Sequence, residues 1–277
     1  MKKKLSVLVS LALTAMLALT GCASAKNETA EDSNVLKVGM EAGYPPFNWT
    51  QGDDSNGAVA IEGSSEYANG YDVQIAKKIA EGLGKELVVV KTEWDGLVPA
   101  LTSGKIDAIV AGMSPTAERK ESIDFTDNYY NSQLVMVVKN DGQYANAKTL
   151  ADFNGAKVTA QLNTFHYSVI DQIEGVNKQE AMDNFPAMRV ALESGVIDAY
   201  VSERPEAVSA QSANSNFKMI ELTDGFETDP EDTAIAVGIK KNSELTEKIN
   251  EILAGISEEE QTEIMDKAIQ NQPAANN

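Results

Sequence analysis

The chain has 277 residues, and its 42 acidic residues outnumber its 23 lysines and arginines, so the formal net charge at pH 7 is −19. A surface with this charge repels a phosphate backbone, which excludes nucleic acid as an expected partner. A single cysteine excludes an intrachain disulfide, and the length allows two compact lobes.

The N-terminus has the composition of an export signal. Three lysines at residues 2–4 precede an apolar stretch at 5–19 that is too short for a stable membrane span. The residues Leu19-Thr20-Gly21-Cys22 resemble the bacterial lipoprotein box, in which the cysteine becomes the lipidated first residue of the mature chain. We therefore expect residues 1–21 to be a lipoprotein signal peptide, and Cys22 to anchor the protein to the bacterial cell membrane on its extracytoplasmic side. Residues 22–34 would form a flexible polar tether.

Strands and helices alternate along the rest of the chain. Residues 35–40 are apolar and predict a short strand, and residues 86–91, rich in valine, predict another. Between them, Asp72 is placed to cap a helix that Gly82 and Gly84 end. The polar, glycine-rich residues 50–69 are expected to form a loop or hairpin beside the mouth of a cleft. The strand–helix–strand order predicts an α/β fold with mostly parallel sheets flanked by helices.

An internal repeat is the most informative feature of the sequence. Residues 100–110 and 191–201 are identical at eight of eleven positions, and each segment predicts the end of a helix, a glycine stop and a buried strand. The repeat favours two lobes of similar build, although a helix–turn–strand unit is common enough for such similarity to arise by chance. In open α/β sheets, ligands bind beyond the carboxyl ends of the strands. We therefore expect the residues after Val110 and Val201 to face a shared cleft.

Two crossings of the chain, near residues 127–133 and 225–232, are expected to join the lobes and to form a hinge that allows closure. The expected boundaries are 35–128 and 231–270 for lobe one and 129–230 for lobe two. A late helix at 243–254, ended by Gly255, has one apolar face and should pack on lobe one. We expect residues 271–277 to be a disordered tail.

Four motifs occur in the same order as in a known family. They are Glu41-Ala-Gly-Tyr-Pro-Pro-Phe47, Gly70-Tyr-Asp72, Gly112-Met-Ser-Pro-Thr-Ala-Glu-Arg119 and Ile123-Asp-Phe125. Together they resemble the polar amino acid solute-binding proteins of ABC importers, over nearly the whole mature chain. The resemblance implies the type II periplasmic-binding-protein fold, a two-lobed clamp. It also implies a monomer that captures a free polar amino acid without a cofactor and delivers it to the transmembrane subunits of an ABC permease.

The first lobe carries residues suited to the carboxylate of an amino acid. The planar guanidinium of Arg119 can hold a carboxylate through two parallel hydrogen bonds. Ser114 followed by Pro115 is typical of a helix start, where free N–H groups attract an anion. By resemblance, Gly112 and Ser114 contact the ligand's ammonium or carboxylate, and Arg119 clamps the carboxylate. The alternative is a surface arginine on a charged helix.

The second lobe should complete the contact with the ligand. Thr164 lies at a turn between a strand at 157–161 and a helix, and the resemblance assigns it to the ligand site. Asn163 and Phe165 depart from the small Gly-Thr-type turn of the family, which leaves the backbone geometry of this turn open. Glu203 occupies the position where the family usually carries an aspartate that pairs with the α-ammonium, and it is one methylene longer. A solvated glutamate at a strand end is the alternative.

By resemblance, an aromatic pair and an acid select the ligand's side chain. Tyr44 and Tyr71 match the rings that sandwich the side chain in relatives, although packing in the core is the alternative for either. Glu41 matches an acidic position that reaches the distal end of the ligand, which favours a basic ligand such as arginine, lysine or ornithine. Glutamine and cystine are the alternatives. Gln161 and Trp94 are weaker candidates, and packing is the better interpretation for Trp94.

Enzymatic function has little support in the residue pattern. His166 is the only histidine, and no partner serine or acid is marked, so a structural or rim position is the better interpretation. No His/Cys cluster or calcium-loop spacing predicts a metal site. Amino acid dehydratases with a similar fold use a carboxylic acid in the cleft. In an alternative enzymatic function, Glu41 or Glu203 would serve as this general acid. A sensor module is a third alternative, and we expect a non-enzymatic binding protein.

Overall fold

Residues 34–273 are described by the computed structural model, so the predicted signal peptide, Cys22, most of the tether and the last four tail residues lie outside the described part. Two five-stranded sheets form two lobes, and a four-stranded sheet lies beside the first. The first part of the chain comprises β1 Val35–Met40, β2 Gly43–Tyr44, β3 Asn48–Gln51, β4 Val59–Ala60, β5 Tyr67–Asn69, α1 Tyr71–Gly82, β6 Glu86–Lys91, α2 Leu97–Ser103, β7 Ala108–Ile109, α3 Ala117–Ser122 and β8 Asp124–Asn131.

The second sheet takes the middle of the chain, after which the chain returns to the first sheet. The middle comprises β9 Leu134–Lys139, β10 Lys157–Thr159, α4 Phe165–Val169, β11 Asn177–Lys178, α5 Phe185–Ser194, β12 Ala199–Glu203, α6 Arg204–Ala213 and β13 Phe217–Ile220. The returning part comprises α7 Pro230–Thr233, β14 Ala234–Ile239, α8 Leu245–Ala254 and α9 Glu258–Asn271.

The two large sheets have the same topology. The strand order is β6-β1-β7-β14-β8 in lobe one and β11-β10-β12-β9-β13 in lobe two. In each sheet the fourth strand in this order, β14 or β9, runs antiparallel to both of its neighbours, while the other strands run in one direction. The predicted α/β fold with mostly parallel sheets is therefore confirmed.

The sequence repeat corresponds to equivalent parts of the two lobes. Helices α2 and α5 end at Gly104 and Gly195, which have φ angles of 80° and 77° in the left-handed region that favours glycine. The strands that follow, β7 and β12, occupy the centre of their sheets. Because each central strand ends at the carboxyl edge of a parallel array, the residues that follow both strands reach the space between the lobes.

Helix α1 packs an apolar face into lobe one, as the sequence predicts, but Asp72 does not cap it. The N-cap residue is Gly70, and Asp72 lies in the first turn with a fully buried side chain. Its carboxylate accepts hydrogen bonds from Asn48 Nδ2 at 2.8 Å and Tyr129 Oη at 2.7 Å. The side chain therefore links the start of α1 to two other parts of lobe one.

The segment 50–69, expected to form a loop or hairpin, contains the antiparallel pair β4 and β5, which belongs to a four-stranded sheet. Strands β3, β4 and β5 pair antiparallel with one another and with β2 in the order β2-β3-β5-β4. The 3₁₀ turn Ser55–Gly57 connects β3 to β4. Strand β2 contains Tyr44, so this small sheet supports one wall of the cleft.

The C-terminal part of the chain is helical almost to its end. The predicted late helix is confirmed as α8, with Leu245, Ile249 and Leu253 buried. A tail beginning at 271 was predicted too early, because α9 continues to Asn271 and Gln272 forms hydrogen bonds with Ser209 of α6. Between Asn34 and Pro273, no helix combines the length and the apolar character that a membrane crossing requires.

Two neighbouring segments connect the lobes. The chain leaves the first sheet after Asn131 and enters the second at Leu134, and it returns between Ile220 and Ala234. The Ser132 N–H donates to the carbonyl of Thr233 at 2.8 Å, so the two crossings lie side by side. Two adjacent crossings of this kind are typical of a hinge.

Candidate functional site

A cavity between the lobes collects most of the predicted site residues. The free volume inside it is about 10 Å³, roughly the space of one water molecule, so the two lobes are closed against each other. It is lined by Tyr44, Trp94, Gly112, Ser114 and Arg119 of lobe one and by Gln161, Thr164, Phe165, His166 and Phe185 of lobe two. A wider depression on lobe one, bordered by β8 and α8, is open to solvent and contains none of the predicted residues.

Arg119 extends from α3 to the boundary between the lobes. The N-cap of this helix is Thr116, so the predicted helix start at Ser114 is two residues too early. The guanidinium donates to the carbonyl of Ser114 at 2.9 Å and, across the cleft, to the carbonyl of Asn163 at 3.1 Å. Its Cζ lies 4.9 Å from the ring centroid of Trp94. Burial lowers the pKa of Arg119 to about 10, so the side chain remains charged at neutral pH.

The chain after β7 forms the part of the cleft wall beside Tyr44. Gly112 has a φ of 62°, and a Cβ atom there would lie 2.7 Å from Cε1 of Tyr44, so a larger residue would not fit. The Gly112 N–H donates to Tyr129 Oη at 3.1 Å. Ser114 is buried, and its hydroxyl donates to the carbonyl of Asp232 at 2.6 Å. This wall is therefore held by contacts to the core and to the second crossing.

The turn at Asn163 and Thr164 faces Arg119 from lobe two. Asn163 has a φ of 55°, a left-handed conformation that asparagine adopts more readily than most residues with a side chain. Its amide donates to Asp95 Oδ1 of lobe one at 2.8 Å. Thr164 is the N-cap of α4, and its hydroxyl donates to the carbonyl of Gln161 at 2.7 Å. Asn163 therefore keeps a turn at this position and adds a contact between the lobes.

Glu203 lies at the end of β12, directly behind the cavity wall. It is 1% exposed, and its Oε2 accepts a short hydrogen bond from the Tyr44 hydroxyl of lobe one. Its Oε1 has no hydrogen-bond partner among residues 34–273. Burial raises the pKa of Glu203 to about 7, and the hydrogen bond from Tyr44 opposes this shift. One buried carboxylate oxygen is thus left for a donor that the described chain does not provide.

His166 lies beside Glu203 and lines the same cavity as Arg119. Its Nε2 is 3.9 Å from Oε1 of Glu203, and neither ring nitrogen has a hydrogen-bond partner within the described residues. Burial, together with the charge of Arg119, lowers the pKa of His166 to about 3, so the ring is neutral at pH 7. His166 is therefore a buried residue of the cavity wall rather than a residue of the rim, and its two ring nitrogens have no partner within residues 34–273.

The carboxylate of Glu41 accepts hydrogen bonds from a residue of the other lobe. The amide of Gln161 donates to its two oxygens at 3.2 and 3.3 Å and also donates to the carbonyl of Asp183 at 3.0 Å. Burial raises the pKa of Glu41 to about 7. Gln161 lines the cavity and Glu41 lies behind it, so the carboxylate expected at the distal end of a ligand is screened from the cavity.

The structure places Tyr71 away from the cleft. Its ring is fully buried in lobe one against Phe47, Tyr129 and Tyr130, and its hydroxyl donates to the carbonyl of Tyr129 at 2.9 Å. The expected pairing of Tyr71 with Tyr44 around a ligand does not agree with this position. Trp94, for which packing was the preferred interpretation, lies on the cavity wall instead.

Two phenylalanines in the wall were missed by the sequence interpretation. Phe165 and Phe185 are the first residues of α4 and α5, and both helices start at the side of lobe two that faces lobe one. The N-cap Asn184 and the proline at 186 mark the start of α5 in the sequence. This start signal, on a segment before the second repeat, could have identified Phe185 as a candidate wall residue.

Comparisons with known proteins agree with this geometry. The model of the bacterial extracellular solute-binding proteins, family 3, matches residues 36–271. The arginine-binding extracellular protein ArtP of Bacillus subtilis is 29% identical over 96% of this chain and 97% of its own length. A probable histidine-binding protein of Campylobacter jejuni is 35% identical over 76% of this chain and 78% of its own length.

A solved structure has a similar arrangement of most of the chain. It is an amino acid ABC transporter substrate-binding protein from Streptococcus pneumoniae bound to L-arginine, with 26% identity and a TM-score of 0.77. The match covers 88% of this chain and 98% of that protein. The family match extends over most of the chain, and the fold has the two lobes and the central cleft expected of such a clamp. This chain therefore belongs to the bacterial extracellular solute-binding proteins, family 3.

Proposed function

We propose that this protein binds a free α-amino acid between its lobes and delivers it to the permease of an ABC importer. One observation carries the proposal: a guanidinium and an unpartnered buried carboxylate oxygen approach one small cavity from opposite lobes. Arg119 lines the cavity and contributes the positive group, and Glu203, behind the wall beside His166, contributes the negative one. An amino acid is a zwitterion, and its two charges match this arrangement.

The contacts available to the ligand are charge-assisted hydrogen bonds. A guanidinium has five N–H donors, and two carbonyl contacts leave donors of Arg119 for a carboxylate. The α-ammonium would donate to Oε1 of Glu203, and neutral His166 offers a second acceptor beside it. These groups lie where water is largely excluded, which strengthens each contact.

Closure of the lobes follows from the distribution of these contacts. Arg119 belongs to lobe one, whereas Glu203 and His166 belong to lobe two, so only the closed arrangement provides both sets of contacts. A ligand that binds one conformation better shifts the population toward it. Closure would then present the loaded protein to the permease.

The remaining parts of the proposal come from the sequence and the relatives. We place the protein outside the cytoplasm, anchored through a lipidated Cys22, as a monomer that releases its ligand chemically unchanged. The arginine- and histidine-binding relatives support the basic ligand that the sequence suggested through Glu41. The proposed contacts involve the α-amino and α-carboxyl groups, which all free amino acids share.

Calorimetric titration of the purified domain with the twenty amino acids, ornithine and cystine tests the proposal. We expect at least one L-amino acid to bind and to be recovered unchanged. Arg119→Ala should weaken that binding by about 2 kcal/mol or more, because a buried carboxylate would lose its main partner. Arg204→Ala is the matched control, since Arg204 is an exposed arginine outside the cavity. Binding by Arg119→Ala that equals that of the wild type would refute the assignment.

A further inference from the structure

A buried ion pair packs against the end of β12 in lobe two. The carboxylate of Glu206, in the first turn of α6, is fully buried, and Arg189 of α5 contacts it through Nη2 at 2.7 Å and Nε at 2.9 Å. Two charges are costly to bury unless their geometry is good and their other polar atoms are hydrogen-bonded. Neither residue belongs to the cavity wall, so the pair lies outside the contacts assigned to the ligand.

Two hydroxyls of β12 complete the hydrogen bonding of Glu206. Ser202 Oγ donates to Oε2 at 2.5 Å, and Tyr200 Oη donates to Oε1 at 3.2 Å. Successive side chains of a strand point to opposite faces, so Tyr200 and Ser202 share one face of the sheet and Glu203 points to the other. Glu206 therefore fixes the last turn-ward residues of β12 from one face, directly before the carboxylate that faces the cleft.

The charge of Glu206 also acts on Glu203. Glu203 is the N-cap of α6 and Glu206 lies in its first turn, so both carboxylates belong to one helix start. Burial is the main cause of the raised pKa of Glu203, and the negative charges of Asp72 and Glu206 add to it. The ion pair with Arg189 offsets part of the charge of Glu206.

The other titratable and charged groups around Glu203 come from both lobes. They are Tyr44, Asp72, Tyr130, His166 and Arg204. Burial raises the pKa of both tyrosines and lowers the pKa of His166 to about 3, so these three groups stay neutral between pH 6 and pH 8. Arg204 is exposed and pairs with Glu221. Asp72, with a pKa of about 6, changes charge in this range, but it does so in wild type and in variants of lobe two alike.

We propose that Glu206 is a positioning residue for the ammonium end of the ligand site. It fixes the end of β12 through Ser202, and its negative charge opposes ionisation of Glu203. The Arg189–Glu206 pair thus influences both where the carboxylate of Glu203 lies and at which pH it becomes charged. This inference rests on the proposed function, in which Glu203 accepts from the α-ammonium.

Calorimetric titration of wild type and Glu206→Gln at pH 6 and pH 8 tests this inference. The probes are L-arginine and L-glutamine, whose charges hardly change in this range, or the best-binding amino acid of the full screen if neither binds. The wild type should bind about tenfold more tightly at pH 8 than at pH 6. In Glu206→Gln this ratio should fall below about threefold, because a neutral amide and an unbalanced Arg189 let Glu203 ionise at lower pH.

Ser202→Ala separates position from charge, because it breaks the hydrogen bond to Glu206 and keeps the ion pair. Its affinity should fall about two- to tenfold at both pH values, with a wild-type ratio between them. Thr159→Val is the matched control, since Thr159 is a fully buried residue of β10 whose hydroxyl donates to the carbonyl of Glu180 at 2.7 Å. It should bind as the wild type does at both pH values.

If Glu206→Gln does not fold, Arg189→Met combined with Glu206→Met decides, because apolar side chains often replace a buried ion pair without loss of stability. Its pH ratio should also lie below that of the wild type. An unchanged ratio in the Glu206 variant, or wild-type affinity in Ser202→Ala, would overturn this inference and leave the proposed function standing. If no amino acid binds the wild type, the proposed function fails and this inference fails with it.

Discussion

Individual residues in the cleft combine burial with incomplete hydrogen bonding. Glu203 is almost fully buried with a free carboxylate oxygen, and His166 is buried with two free ring nitrogens, as judged within residues 34–273. An unpaired buried polar group typically costs about 1–3 kcal/mol, so these positions reduce the stability of the fold. Such a cost is expected where a ligand supplies the missing partners.

The raised pKa of Glu203 predicts that ligand affinity increases with pH. An ammonium binds the charged carboxylate, and the pKa of about 7 means that the carboxyl group is mostly protonated at pH 6 and mostly charged at pH 8. Affinity should therefore rise about tenfold between these values. The charge of Asp72, whose pKa is about 6, adds to the rise in the pKa of Glu203, and His166 remains neutral throughout. Calorimetric titration at several pH values measures the change.

The same shift has the opposite effect on stability. The folded pKa of Glu203 lies above its ordinary value of 4.5, so this group stabilises the fold fully below pH 4.5, and that contribution is lost as the pH rises through 7.

Glu203→Gln should remove most of the pH dependence of affinity. Glu41→Gln is the comparison variant, because Glu41 also has a pKa of about 7 but lies behind Gln161. Equal pH dependence in Glu203→Gln and wild type would contradict the assignment.

At the scale of helices and strands, the sequence predicts best where one physical signal dominates. The strands at 35–40 and 86–91 were predicted to the residue, because each is a short apolar run bounded by polar or glycine residues. The segment 50–69 was predicted only as a loop or hairpin, since its strands are short and depend on pairing with one another. Local pattern therefore defines buried elements better than elements that form by pairing at the surface.

Of the charged residues that the sequence assigns to the ligand, Arg119 and Glu203 lie at the cavity, whereas Glu41 is screened from it by Gln161. Arg119 reaches the cavity wall, and Glu203 lies immediately behind it, because each follows a central strand of its lobe and the topology directs both to one edge. Tyr71 was misplaced and Phe185 was missed, since apolar rings suit a core and a cleft equally well. Their positions depend on tertiary packing that no local pattern specifies.

The buried carboxylate of Asp72 links helix α1 to the turn after β7. Asp72 accepts from Asn48 and Tyr129, and the Tyr129 hydroxyl in turn accepts from the N–H of Gly112. Asp72→Ala would leave two buried donors without an acceptor. The free energy of unfolding should fall by about 2–4 kcal/mol. Urea denaturation at pH 7 measures this loss.

Asp72→Asn provides the matched comparison, because it keeps one acceptor oxygen and nearly the same volume. Its loss should be smaller than that of the alanine variant. A loss below about 0.5 kcal/mol for Asp72→Ala, the range of an ordinary surface substitution, would show that the network contributes little to the fold.

At the scale of the whole molecule, α9 connects the lobes without belonging to the hinge. Its first turn is tied to α1 of lobe one by the Lys78–Glu260 ion pair at 2.5 Å, and Met265 and Ala268 are buried. At its end, Gln272 exchanges hydrogen bonds with Ser209 of lobe two. This contact joins the two lobes directly, so we expect it to favour the observed closed arrangement.

Gln272→Ala should therefore weaken ligand binding although it lies outside the cleft. Apparent affinity scales with the fraction of molecules that can adopt the binding-competent arrangement. The net contribution of a hydrogen bond is about 0.5–1.5 kcal/mol, which corresponds to a loss of affinity of about two- to tenfold.

Lys267→Ala is the control, since Lys267 is exposed on the same helix and pairs with Glu263 one turn away. Calorimetry combined with small-angle scattering should show weaker binding and a larger radius of gyration for Gln272→Ala alone. Identical affinities for the two variants would mean that α9 follows lobe closure without influencing it.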